Sequence, residues 1–273
     1  MFREDRQMKR FIALTTILAL GGILLTGCNS STATSAASSA ASSTQATETS
    51  AQSDETSGSA AESTEDTKAP VSTHKVEVTD QSVNSVKDDS GDEYKTITPK
   101  LIVDGKDAKD INDSLSEYIK TTYPLKKDEY GVDGSTVSYA WGVRGDIVSI
   151  VLIVSELGTD GINYVVFNYS TDTLEPVTDE EVLKSWGITA DDFNKKVADA
   201  YRAYWDSEQW LKESMEDLDK NIGAISSTTV EPFATPNGNV GAAGLLNISG
   251  SQFGETVKCF DLDTLQAEYF SNN

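Results

Sequence analysis

Apart from carboxylates, this chain carries few side chains that could act as a base, a nucleophile or a metal ligand. It has one histidine, His74, and two cysteines, Cys28 and Cys259, against 44 Asp and Glu. Serine or cysteine nucleophiles need a neighbouring base, and a single histidine at the edge of a long polar segment is poorly placed to serve as one. Zinc sites want clustered His and Cys ligands, which the sequence lacks. The glycines of "GNVGAAG" (238–244) recur every three residues but have no strand–turn–helix context for phosphate binding. Asp88, Asp89, Asp92 and Glu93 could hold calcium, yet they lack the EF-hand spacing and its distal glutamate, and they read as an exposed acidic turn. Two carboxylates flanking a cleft could hydrolyse a glycoside, but no pair stands in a context that would raise a pKa. No catalytic residue, metal or cofactor is therefore nominated.

Cys28 is the residue with the most specific setting. Arg3, Arg6, Lys9 and Arg10 precede an apolar run over residues 11–25, about the length of a signal-peptide core and short of the roughly 20 residues that span a bilayer. Either Met1 or Met8 could open it. The run ends in Leu25-Thr26-Gly27-Cys28, which looks like a bacterial lipobox. That resemblance implies cleavage after residue 27 and a diacylglyceryl group on the Cys28 thiol, two acyl chains being enough for stable anchoring in a lipid bilayer. The expected location is the extracytoplasmic face of the cell membrane.

Residues 29–70 contain no aromatic residue and no Leu, Ile, Val or Met. They cannot bury enough apolar surface to offset their ordering entropy, so 28–73 is expected to be a lipidated cysteine followed by a disordered tether. As a flexible coil this segment would span roughly 35 Å. Residues 74–273 are long enough for one domain with its own core, with 74–130 as a candidate leading lobe. With Cys28 lipidated, Cys259 has no partner for a disulfide and reads as a small buried hydrophobe. The whole chain carries a net charge of −22. Such a surface disfavours nucleic acid and favours cationic partners, whose encounter rate it raises.

Any site must be positioned by the elements of that domain. "HKVEVTD" and "YKTITPKLIVDG" read as strands around the turn "KDDSGDE", the second broken or edged by Pro99. Ile111, Leu115, Tyr118 and Ile119 recur at helical spacing, with Asp107 as a cap and Pro124 as a stop. "STVSYAW" and "IVSIVLIVS" flank a hairpin turn, and "NYVVFNY" continues them. The run over 147–154 is apolar enough to be a central strand covered on both faces. "TDEEVLKSW" predicts a short capped helix. Thr189 and Asp192 then open a longer one, with a stripe of Phe193, Val197, Tyr201, Tyr204, Leu211, Met215 and Leu218. Three closing strands follow, with Asn237-Gly238 as a hairpin turn. Strands and helices come in blocks, which predicts an α+β fold: a largely antiparallel sheet packed against one long and one or two shorter helices.

The order of these parts resembles the RsiV/PdaC-type extracellular domain, shared by lysozyme-sensing anti-sigma factors and the N-terminal region of peptidoglycan deacetylases. The resemblance covers residues 94–203. It rests on Ile111-Asn112, Ser149-Ile150-Val151-Leu152, Gly158-Thr159-Asp160-Gly161, Val166-Phe167-Asn168-Tyr169 and Thr171-Asp172-Thr173-Leu174. "ELGTDGINY" stands where the family carries adjacent glycines and a histidine. About 50 residues follow the long helix, too few for the deacetylase domain, so the resemblance implies a non-catalytic, wall-facing domain. The expectation is a lipid-anchored binding module for a basic protein, such as a lysozyme-like enzyme, or for peptidoglycan. Gly158, Thr159, Asp160, Gly161 and Tyr164 are the candidate contacts, because loops on a rigid sheet commonly carry function. The alternatives are an accessory lipoprotein in assembly and a carboxylate-dependent hydrolase.

Overall fold

The computed structural model describes residues 71–159, 161–209, 212, 230–247 and 255–267. Cys28, the tether, Asp160, Leu211, Met215 and Leu218 lie outside them. The described residues belong to one compact unit, Lys68–Asn273.

The fold is α+β, with a mostly antiparallel seven-stranded sheet. It comprises β1 (Val76–Lys87), β2 (Glu93–Val103), β3 (Lys106–Asp107), β4 (Leu125–Asp128), β5 (Gly131–Arg144), β6 (Ile147–Glu156) and β7 (Ile162–Ser170). The strand order is β1-β2-β5-β6-β7, with β3 on β2 and β4 on β5. The one parallel junction, β2 with β5, rests on a single bridge between Thr96 and Val137. The 74–130 segment enters this sheet and shares its core. A second sheet of order β11-β10-β9-β8 is built from β8 (Val230–Ala234), β9 (Val240–Asn247), β10 (Glu255–Asp261) and β11 (Gln266–Ala267). The helices are α1 (Lys109–Thr122), α2 (Asp179–Ser185) and α3 (Ala190–Ser207).

Strand alternation sorts these elements into four layers. Val148, Ile150, Leu152 and Val154 of β6 face Ile111, Leu115 and Ile119 of α1. On the opposite face Val151 joins Ala140, Val166, Phe233, Ala243 and Cys259 between the two sheets. The far side of the small sheet (Val230, Ala242 and Phe260) packs against Val182, Phe193, Val197 and Tyr201 of α2 and α3. So β6 is central and covered on both sides, and Cys259 is buried.

Local signals explain most boundaries. Thr178 and Glu181 form a reciprocal capping box on α2. The Thr189 hydroxyl accepts from the Asp192 amide at 3.1 Å to start α3. Three expectations need correction. Asp107 does not cap α1: its carboxylate takes Asn112 Nδ2 at 2.6 Å and Lys100, and the cap position is Ala108, without a side-chain bond. Pro99 neither breaks nor edges its strand. It lies inside β2, opposite Asp80, where β1 shifts register. The stripe of the long helix does not continue unbroken, because α3 ends at Ser207 with Glu208 in extended geometry.

The two sheets meet along a polar seam. Gly142, Ser149 and Asn168 stand side by side across β5, β6 and β7, and β8, last in the order of the small sheet, lies over them. Asn168 Nδ2 donates to the Pro232 carbonyl at 2.9 Å, the Ala234 amide donates to Ser149 Oγ at 2.8 Å, and the Ser149 hydroxyl donates to Asn168 Oδ1 at 2.6 Å. An edge strand buried without partners would leave orphaned backbone groups, and these side chains satisfy them. Pro232 fits because its missing N–H would point at the seam. Ser149→Ala is expected to cost about 1–3 kcal/mol by orphaning the Ala234 amide, read as a lower urea midpoint with unchanged slope.

Candidate functional site

Three hairpin tips gather at the end of the large sheet that carries the expected contact loop. They are the β1–β2 turn (residues 88–92), the β4–β5 tip (128–131) and the β6–β7 loop (156–161). Each is fastened to a neighbour. Lys127 Nζ reaches Asp89 at 2.7 Å, and Asn84 Nδ2 donates to the Leu125 carbonyl at 3.2 Å. The Leu157 amide donates to the Gly134 carbonyl at 2.9 Å, and the Ser135 amide to the Pro124 carbonyl at 3.1 Å. Gly134 has φ +114°, and a Cβ there would sit 1.8 Å from the Pro124 carbonyl oxygen, so only glycine lets the end of α1 approach this hairpin.

Within the β6–β7 loop, Gly158 has φ +84° and open space around it, as a hairpin turn requires. Gly161 needs no such conformation. Thr159 is exposed, its hydroxyl donating back to the Glu156 carbonyl at 3.1 Å and accepting from the Gly161 amide at 3.4 Å within the same loop. Asp160 lies outside the described residues. Tyr164 corrects the expectation from sequence. It is only 7% exposed and packs between the sheets with Ala140, Val151 and Phe233, because its strand position faces the small sheet. It offers no surface to a ligand.

The acidic turn is largely committed to its own geometry. Asp88 Oδ1 accepts from the Ser90 and Asp92 amides, each at 2.9 Å. The bond from Lys127 holds the Asp89 carboxyl below its usual range. The Ser85 hydroxyl, then Lys95, does the same for Glu93. Among the described residues no group of three or more His, Cys, Asp or Glu is arranged to hold a metal ion.

One residue of this end escapes sequence reasoning: Tyr130. It stands at the β4–β5 tip, 90% exposed, the most exposed large hydrophobic of the described residues. Its backbone is fixed by the bond from its amide to Asp128 Oδ1 at 2.8 Å. The available signal is "KKDEYGVDG", where an aromatic residue sits inside a turn and outside any apolar alternation. A tyrosine on a pinned hairpin tip presents a large amphipathic surface at little ordering cost, among side chains that are mostly acidic. Such an arrangement can stack on or hydrogen-bond to a partner.

No protein-family model, curated protein or solved structure matches the chain.

Proposed function

We propose that this chain is a lipid-anchored, extracytoplasmic binding module whose ligand is a basic protein of the cell envelope, of the lysozyme-like kind. The observation that carries the proposal is the succession in the sequence: a cysteine closing a signal-like apolar run, a long polar leash, then an acidic domain. The resemblance to the RsiV/PdaC-type domain points the same way, and the pinned hairpin end with Tyr130 is the contact surface. Peptidoglycan is the second ligand, favoured by the exposed aromatic ring, which could stack on a sugar.

Two observations weigh against the other classes. A general acid needs a raised pKa, whereas among the described residues every carboxyl whose titration clearly departs from its usual value is pushed down: Asp89, Glu93, Asp104, Asp107, Glu181 and Asp263. An assembly factor needs a broad apolar patch. The exposed large hydrophobics among the described residues are Val71, Val83, Tyr130 and Leu265, and only one of them is aromatic.

The test is binding to purified lysozyme and to soluble peptidoglycan fragments across a salt series. Lysozyme binding is expected to weaken steeply from low to physiological ionic strength, since exposed charges are screened within about 8 Å at 0.15 M. Tyr130→Ala is expected to weaken it further, by roughly tenfold if the ring is an anchor. Binding that ignores both salt and Tyr130 refutes the charge-steered reading. Glycan binding without lysozyme binding moves the assignment to the second ligand.

A further inference from the structure

We propose that His74 is a pH-operated clasp that fastens the chain's entry into the domain to two turns at the end of the large sheet opposite the hairpin tips. His74 is the only histidine of the chain and lies just before β1. Its Nδ1 is 2.7 Å from Asp104 Oδ2 and its Nε2 is 2.7 Å from Asp172 Oδ1. These carboxylates come from distant parts of the sequence, 30 and 98 residues away. Asp104 sits in the β2–β3 turn at φ +51°, beside Gly105 at φ +73°. Its other oxygen accepts from the Lys75 amide at 2.9 Å, and its own amide donates to the Lys75 carbonyl at 2.8 Å. Asp172 belongs to the turn after β7, held by Ser170 Oγ.

The chemistry of imidazole makes this arrangement conditional. Only the imidazolium has two N–H donors; the neutral ring has one donor and one lone pair. Both carboxylates can therefore be bonded only while His74 is charged, and losing the proton turns one carboxylate against a lone pair. The hydrogen bonds that His74 donates to Asp104 and Asp172 hold its pKa above 6.5, and the bond from His74 holds Asp104 below its ordinary range. The nearby cations are Lys75, paired with Glu77, and Lys106, close to Asp104.

The sign follows from those directions. The contribution of His74 is fully present below pH 6.5 and is lost as pH rises through its raised folded value. The contribution of Asp104 is present above its unfolded value and is lost as pH falls through its lowered folded value. The clasp thus holds between the lowered folded value of Asp104 and the raised folded value of His74, and it opens as pH rises through the latter. When it opens, residues 71–74 lose the tie that the ring gave them, while Lys75 keeps its bonds to Asp104, and the attachment of the leash is loosened. That meaning for the leash rests on the lipid-anchored reading; the clasp itself does not.

The full chain in detergent micelles gives one set of imidazole signals, so its titration by NMR is unambiguous. The expected midpoint lies above 6.5, is lower in both D104N and D172N, and is lowest in the double variant. Amide exchange over residues 71–74, taken relative to H74Q at each pH, is expected to rise through the same midpoint. A midpoint at or below 6.5, a midpoint untouched by D172N, or exchange that tracks H74Q at every pH overturns the clasp. Thermal unfolding of each variant shows that the domain is intact, because all three side chains are partly exposed. Fatty-acid labelling of the same chain reads the anchor separately, so an unlabelled chain with the expected titration keeps the clasp and removes only the leash.

Discussion

Gly142→Val is expected to unfold the domain at ordinary temperature, whereas Gly161→Ala leaves it unchanged. Neither glycine occupies a backbone conformation denied to other residues, so the contrast is one of space alone. A Cβ at Gly142 would lie 2.0 Å from the Thr235 carbonyl oxygen and 2.4 Å from its carbon, and both belong to the backbone. No rotamer change relieves such a clash; the second sheet must move. At Gly161 the nearest atom is the Thr159 hydroxyl at 3.7 Å, an ordinary contact. Overpacking that side chains can absorb costs about 1–3 kcal/mol, and a clash between two backbones belongs above that range. Displacing β8 also breaks its bonds to Ser149 and Asn168, adding roughly 1–3 kcal/mol for each group left unpaired. Together these approach the roughly 5–15 kcal/mol of a typical domain. Denaturant titration with far-UV circular dichroism measures the difference. A Gly142→Val protein as stable as Gly161→Ala would mean that the sheets are not in the contact described.

The same seam marks the limit of what the sequence discloses. Periodicity places every strand from β5 to β7, and the apolar run over 147–154 discloses that β6 is central. Nothing in that run shows why Ser149 interrupts it. A hydroxyl in a buried strand acquires meaning only from β8, which is 85 residues away along the chain where it meets Ser149. Capping chemistry is local, so Thr178 and Thr189 are legible. Asp107 misleads because its carboxylate answers Lys100 and Asn112, one of which lies on another strand. The candidate site divides in the same way. Gly158 declares its turn, whereas Tyr164 is adjacent to that turn in sequence although its position on β7 sends it inward. Tyr130 is inconspicuous because its turn lacks the two-residue signals of a tight hairpin. A lone His74 is no base for a catalytic triad, and its neighbours in sequence say nothing more of it. Its pairing with Asp104 and Asp172 exists only once the fold brings three distant turns together.

Replacing Cys28 with alanine is expected to abolish incorporation of radioactive fatty acid and to release the protein from the membrane fraction, while Cys259→Ala keeps both. The argument is one of acyl arithmetic. Each buried CH₂ contributes about 0.8 kcal/mol, so one chain holds a protein only reversibly and two hold it firmly. A diacylglyceryl thioether supplies both at one atom, and alanine has no sulfur to receive it, so the loss is all or none. Cys259 is buried between the sheets and cannot substitute. Anchoring also changes what a weak binding surface can achieve. On the proposed anchoring, a flexible leash spanning roughly 35 Å would keep the domain near the bilayer, where any partner held at the same surface would be met at an effective concentration near the millimolar range. An affinity too modest for a freely diffusing protein then suffices, which is compatible with a contact surface of one exposed tyrosine and a screened acidic field. Labelled Cys28→Ala, or an unlabelled parent protein, would remove the anchor and with it the local concentration on which this economy of contacts depends.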